Sequence, residues 1–446
     1  MVDLAVTAAA EPLTLVLRFA DVGIATYASL RVLRQPARTV TWVVEQPILL
    51  AALQQLADAL PDPHPGESRG QAVERALTTG AFAAAQTELT VAYVLGVLLI
   101  GPAGWDLLME CIAQPRAVLF VTPSARLAGV PWGLLAVPTT GPTQEELVRA
   151  RAAATTARGQ EPARIPWRLD DLSARTEGYR LMELVDVLMA APPNIVHSPR
   201  TPTPYSELLE HPPLLILDPK VPGQRPDSAL GSVLGRPTPK TPLVRHFGEL
   251  TRRQEVLPGA GAAVDLFRRT DADRDWLAAL LQQAPSRLLF VGHASAADGD
   301  LGHADRAAIH LAEQRALTAA DLMALRLPLP PRVALLACES GGDYRFDEAT
   351  GLVAAMILGG AQLVTATLWS LPTGAGYRQF CAPDEPGMDP MAELVCAVDE
   401  AHQQPEAALA VNRWQRAQMR RWRDGDVTAS PVYWAALVTF AVDGQR

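Results

Sequence analysis

Cysteine is scarce: Cys 4 in 446 residues, at Cys111, Cys338, Cys381 and Cys396, with no C-x-x-C pair and no histidine at ligand spacing. Neither a disulfide framework nor a zinc ribbon is indicated, and no cofactor or metal is expected. Long hydrophobic runs are missing too. The longest, Val91 to Ile100, runs into Gly101-Pro102 and then meets Asp106 and Glu110. It falls short of the roughly 20 residues that a membrane span needs. No basic run exists, and Lys+Arg 39 against Asp+Glu 48 leaves a net charge of -9. A row of phosphates would go un-neutralised, so neither nucleic acid nor a membrane is expected as partner. Met1-Val2-Asp3-Leu4-Ala5-Val6 carries an acid early and no basic leader, which makes a cytoplasmic location the expectation. No periodic repeat is found. What is present is a globular balance, hydrophobic 49% and charged 20%, in a chain long enough for a large core.

Alternation predicts three opening strands, at Leu13 to Phe19, Ile24 to Val32 and Thr39 to Glu45, followed by a helix over Leu49 to Leu60. Helical patterns resume from Gln71 to about Ile112. Ala117 to Thr122, a continuous apolar run between Pro115 and Pro123, has the mark of a strand covered on both faces. Prolines crowd Ala191 to Pro242 around one short apolar strand, Leu214 to Leu217, and this stretch reads as strands joined by long loops at the seam of two lobes. The lobes are placed at 1–245 and 246–446. Thereafter strands at Arg287 to Val291, Val333 to Ala337 and Gln362 to Leu368 alternate with helices near Asp271 to Gln283, Ala319 to Leu325 and Asp347 to Leu358. Helices fill Met391 to Trp422, and Pro431 to Phe440 is expected as a last strand. Strands alternating with helices imply an α/β fold built on a mostly parallel sheet flanked by helices.

In such sheets ligands bind beyond the carboxyl ends of the strands. Two of these ends carry chemistry: Gly292-His293-Ala294 follows one strand and Cys338 the next. A thiol of pKa about 8.5 is mostly protonated at neutral pH, and a neighbouring imidazole can take its proton and return it to a leaving amine. Cys338 and His293 are thus the candidate catalytic pair, and the backbone N–H groups of Ala294 and Cys338 the candidate oxyanion donors. The bland alternative is a buried cysteine beside a capping histidine.

The blocks Leu289-Phe290-Val291-Gly292-His293-Ala294 and Ala334-Leu335-Leu336-Ala337-Cys338-Glu339-Ser340-Gly341, followed by Asp347-Glu348-Ala349-Thr350-Gly351-Leu352 and the run Gly359 to Trp369, resemble the CHAT family of caspase-like cysteine peptidases. Phe120-Val121-Thr122-Pro123, Val130-Pro131-Trp132, Ile309-His310-Leu311-Ala312 and Ser430 to Ala435 extend the likeness over most of the chain. The resemblance implies a caspase-like three-layer fold with a degenerate N-terminal lobe and a catalytic C-terminal lobe, in a clan that includes caspases and separase. It implies His293 as general base, Cys338 as nucleophile, and a backbone carbonyl able to orient the imidazole in place of a third side chain. It implies a cysteine endopeptidase cleaving a restricted protein substrate through an acyl-enzyme, under an activating protein partner, in bacterial defence or programmed death. A non-catalytic interaction module is the alternative.

Leu336 stands where caspases have glutamine, so specificity for aspartate is not expected. Glu339, Asp343, Asp347 and Glu348 cluster near the nucleophile and would favour a basic residue before the scissile bond, unless Asp347 and Glu348 serve a helix start. Trp369 is a candidate for the border of the groove, with core packing as its alternative, and Asp298 and Asp300 read as a solvated turn. His303 and His310 read as structural. Gly341-Gly342 would let the loop after Ser340 move between a latent and an assembled site.

Overall fold

The computed structural model describes residues 13–112, 117–156, 165, 167, 169, 172–223, 231–295, 303–338, 340–342, 351–381 and 388–445. Thirteen strands are found among them: β1 (Thr14–Val22), β2 (Ala25–Val32), β3 (Gln35–Glu45), β4 (Val118–Thr122), β5 (Asp186–Ala190), β6 (Leu214–Leu217), β7 (Arg287–Val291), β8 (Ala294–Ser295), β9 (Ala308–Ile309), β10 (Leu317–Thr318), β11 (Arg332–Leu336), β12 (Leu363–Thr367) and β13 (Leu437–Ala441). Ten form one sheet in the order β3-β2-β1-β4-β5-β13-β12-β11-β7-β6, and β8, β9 and β10 form a small second sheet. Within the large sheet β1–β2, β2–β3 and β12–β13 pair antiparallel and the other six neighbouring pairs are parallel. The α/β architecture with a mostly parallel sheet is therefore present. All five residues of β7, β11 and β12 are buried. That is why these strands read as mostly apolar, non-alternating runs, whereas β1 and β2 alternate.

The first half of the chain contributes β1 to β5 and the second half β7, β11, β12 and β13. β6 precedes residue 245 but pairs in parallel with β7 at the far edge of the second half. The halves join where β13 meets β5 over two residue pairs, Phe440 with Met189 and Ala441 with Ala190. Next to this short ladder Asn412 substitutes for a strand. Its amide oxygen accepts from Val187 N at 2.9 Å and its Nδ2 donates to Val187 O at 3.2 Å. β5 has no clean period in the sequence and was not expected. The predicted last strand divides into a helical turn, Pro431–Trp434, and β13, because Pro431 and the Ser430 cap set a helix start there.

Side-chain alternation ties the sheet to the helix Pro390–His402. Arg287 and Arg332 face each other at the start of β7 and β11. Arg287 reaches Asp399 on that helix at 2.9 Å, and Arg332 donates to the carbonyls of His402, Gln404 and Pro405 at 2.7, 2.6 and 2.7 Å. A cation at the carboxyl end of a helix satisfies carbonyls that lack intrahelical partners. The opposite end of the helix, at Met391, consequently lies over the carboxyl ends of the strands.

Candidate active site

In β7 and β11 the residue offset is constant: Arg332 pairs with Arg287 and Leu336 with Val291. Extended two residues beyond the paired strands, that register would set Cys338 opposite His293. Gly292 N still donates to Leu336 O at 3.3 Å, so the ladder persists to the residue before the histidine. Successive side chains alternate faces. Residues 287, 289, 291 and 293 therefore share a face with 332, 334, 336 and 338, and the arginines identify it as the face under Pro390–His402. The register thus carries His293 and Cys338 off the carboxyl ends of two neighbouring parallel strands.

Cys338 opens a tight turn in which Ser340 N donates to Ala337 O at 3.2 Å. The turn is fastened to β12. Ser340 Oγ donates to Leu335 O at 2.6 Å and accepts from Thr367 N at 3.1 Å, Gly341 N donates to Thr367 O at 2.9 Å, and Thr367 Oγ1 donates to Ala337 O. Gly341 sits in close quarters, since a Cβ there would lie 3.1 Å from Val438 Cγ2 and 3.3 Å from Thr367 O. Gly292 is similar, since a Cβ would meet Phe290 Cζ at 3.0 Å.

His293 is buried, with 6% of its surface exposed. Its Nε2 lies 2.5 Å from Gly231 O. A carbonyl can only accept, so Nε2 carries the proton and Nδ1 the lone pair. Burial holds the imidazole pKa below its usual value. The Gly231 carbonyl and the Asp218 carboxylate act against this shift, and Arg69 and Arg268 act with it. The downward shift favours the neutral ring.

Ala294 opens β8. His310 N donates to His293 O at 3.0 Å, which makes 293 and 310 a hydrogen-bonded pair and Ala294 with Ile309 the next, non-bonded one. The Ala294 N–H thus points away from β9. The His310 imidazole meets Ser295 Oγ at 2.5 Å, so His310 closes the hairpin behind the site. A cleft of about 260 Å³ opens beside Cys338, lined by Val233, Leu336, Leu371, Thr373 and Met391.

Trp369 requires a correction. It does not border the groove: it is 0% exposed, its Nε1 donates to Val432 O at 2.8 Å, and its ring lies 6.2 Å from that of Phe82. An indole with its N–H satisfied in the core is held there by packing. Glu339, Asp343, Asp347, Glu348, Asp298 and Asp300 lie outside the described residues. The sequence did not single out Gly231, Asp218 or Ser340. Only Ser340 stood in a recognisable block; the Gly231 carbonyl and the Asp218 carboxylate are placed by tertiary geometry that no spacing rule reveals.

The fold and these strand ends define an α/β protein with a histidine and a cysteine that follow neighbouring strands at the carboxyl edge of a parallel sheet. A family model described as the CHAT domain matches residues 98–442, and the chain belongs to that family. No curated protein matches it. Among solved structures it is similar to Saccharomyces cerevisiae separase in two crystal structures of the separase–securin complex. In one the identity is 11%, the TM-score 0.46, and the match covers 96% of this chain and 30% of the separase chain. In the other the identity is 10% and the TM-score 0.38, with the same coverage. The chain thus spans less than a third of the separase it matches.

Proposed function

We propose that the chain is a cysteine endopeptidase that acts in the cytoplasm on a restricted protein substrate, as a caspase-like member of its family. The reading is supported by the parallel register of β7 and β11, which leads to His293 beyond one strand and Cys338 beyond the other, and by the contact of His293 Nε2 with Gly231 O. The Cys338 thiol gives its proton to His293 Nδ1 as sulfur bonds to the peptide carbonyl carbon. The Ala294 and Cys338 N–H groups receive the oxyanion. His293 then protonates the amine as the C–N bond breaks, leaving a thioester on Cys338. Water, deprotonated by the same nitrogen, attacks the thioester, releases the acid and restores the thiol. A role in bacterial defence or programmed death, under an activating partner, rests on family membership alone.

The test is the rate of iodoacetamide alkylation of each thiol in the folded protein, read by peptide mass spectrometry. Cys111 and Cys381 serve as internal standards because burial raises both of their pKa values. The expected result is a Cys338 rate well above both that collapses in His293→Ala. A Cys338 rate equal to that of Cys381 and indifferent to His293→Ala would instead leave a non-catalytic interaction module.

A further inference from the structure

We propose that Asp218 is a positioning residue for the active site: it clamps the segment Gly231–Gly235, and that segment supplies the carbonyl that orients His293. The inference rests on the assignment of His293 as the base. Asp218 follows β6 directly and is 0% exposed. Its carboxylate gathers four donors: Ser232 Oγ at 2.5 Å, Val233 N at 3.3 Å, Leu234 N at 3.4 Å and Arg268 Nη1 at 3.2 Å. Three of the four belong to the residues just after Gly231. Ser232 Oγ also reaches Gly235 O at 3.1 Å, closing the segment on itself.

The clamp is built into the sheet. Asp218 N donates to Val291 O at 2.6 Å and Arg268 N to Leu217 O at 3.0 Å, so both ends of the ion pair are fixed to strands. Asp218 and Arg268 both have positive φ, 53° and 55°. These are costly conformations for residues with side chains, and they aim the two side chains at one another. The same segment places Val233 in the wall of the cleft beside Cys338. One carboxylate therefore holds the imidazole orientation and one side of the substrate cleft together.

The charges that act on His293 are those of Asp218 after β6, which raises its pKa, and of Arg268 and of Arg69 from the first half of the chain, which lower it, while His293 in turn lowers that of His310 on the hairpin. Removing the Asp218 charge leaves the two arginines less opposed.

Asp218→Asn is the informative variant, because asparagine tolerates positive φ and keeps one acceptor while losing the Arg268 ion pair. Asp218→Gly keeps the backbone and removes every acceptor. The readouts are the Cys338 alkylation rate from pH 5 to 9, the pH midpoint of its His293-dependent part, and thermal unfolding of the full chain. The expected result is a rate reduced about tenfold in the asparagine variant and towards a hundredfold in the glycine variant, the scale set by roughly 1 Å misplacement of a reacting group. The midpoint should move to lower pH, and Arg268→Ala should shift it in the opposite sense. A wild-type rate that depends on His293 but is unchanged in both Asp218 variants overturns the positioning role and leaves the peptidase assignment standing. A wild-type rate indifferent to His293→Ala removes the assignment, and the positioning role falls with it.

Discussion

Ser340→Ala tests how firmly the turn after Cys338 is held. The hydroxyl is buried, with 1% of Ser340 exposed, and makes two short contacts, donating to Leu335 O at 2.6 Å and accepting from Thr367 N at 3.1 Å. Alanine removes both and leaves the Thr367 N–H facing a methyl group in a closed interior, since Thr367 is itself 0% exposed. A net hydrogen bond is worth about 1 kcal/mol, and a buried donor left unsatisfied costs about 1–3 kcal/mol, so the sum is about 2–4 kcal/mol. The assay is urea unfolding, where the midpoint should fall at unchanged slope. Because Gly341 N–H···O Thr367 is the next fastening along the turn, the Cys338 alkylation rate should fall as well. A stability change under about 0.5 kcal/mol with an unchanged Cys338 rate would refute the view that this serine holds the nucleophile in place.

The depressed pKa of His293 places the acid limb of Cys338 reactivity below the ordinary histidine value of 6.5, and a limb above that value in a pH–rate profile would contradict its burial. Stability should peak near pH 6.5, from two opposed histidines. Burial works to lower the pKa of His246, but Asp399 at 2.9 Å and Cys396 outweigh it and raise it to about 10, so its contribution is complete below 6.5 and is lost as pH rises through 10. His402 is buried and neutral, with its pKa lowered to about 3, so the native state loses stability as pH falls from 6.5 towards 3. His246→Gln should flatten the alkaline limb and His402→Gln the acid limb in urea titrations across pH. In the first half of the chain Arg180 and Glu88 form an ion pair at 2.7 Å with side chains 5% and 2% exposed, so Arg180→Ala should cost about 3–5 kcal/mol by stranding the carboxylate, measurable as a fall in the urea midpoint.

The parts of the fold that the sequence made legible are those where burial is symmetrical. β4, β6, β7, β11 and β12 are largely apolar runs, the first three closed by Pro123, Asp218 and Gly292, and each appears within a residue or two of its expected bounds. β5 was missed because its few apolar residues follow the largely apolar Leu181 to Val185 with only Asp186 between and lead into Ala191-Pro192, so nothing in the period marks a strand there. The helix Pro242–Arg253 was hidden by the prolines before it, although Pro242 occupies its first turn, where proline is favoured. At the site, His293 and Cys338 were legible because each ends an apolar run. Gly231 and Asp218 were not, because their roles are a carbonyl direction and a buried clamp, fixed by chain segments that only the tertiary fold brings together.

The two strands that carry the pair have the same plan. Arg287 precedes His293, and Arg332 precedes Cys338, by an equal even spacing, so on each strand the arginine and the chemical group share a face. Two guanidinium groups side by side at the buried start of a sheet would repel, and this helix's Asp399 and carboxyl-terminal carbonyls compensate them. The helix Pro390–His402 has 13 residues, about 20 Å at 1.5 Å per residue, and six strand residues at about 3.3 Å cover the same length. Anchored at the arginines, the helix is long enough to end at Cys338, where Met391 lines the cleft. The arginine pair therefore serves the site from its far end by setting where the helix stops. Substituting both arginines with methionine tests this. If the two ends are mechanically linked, the cleft at Met391 should loosen and the Cys338 alkylation rate should change, whereas a helix held only by its apolar face would leave that rate as it is.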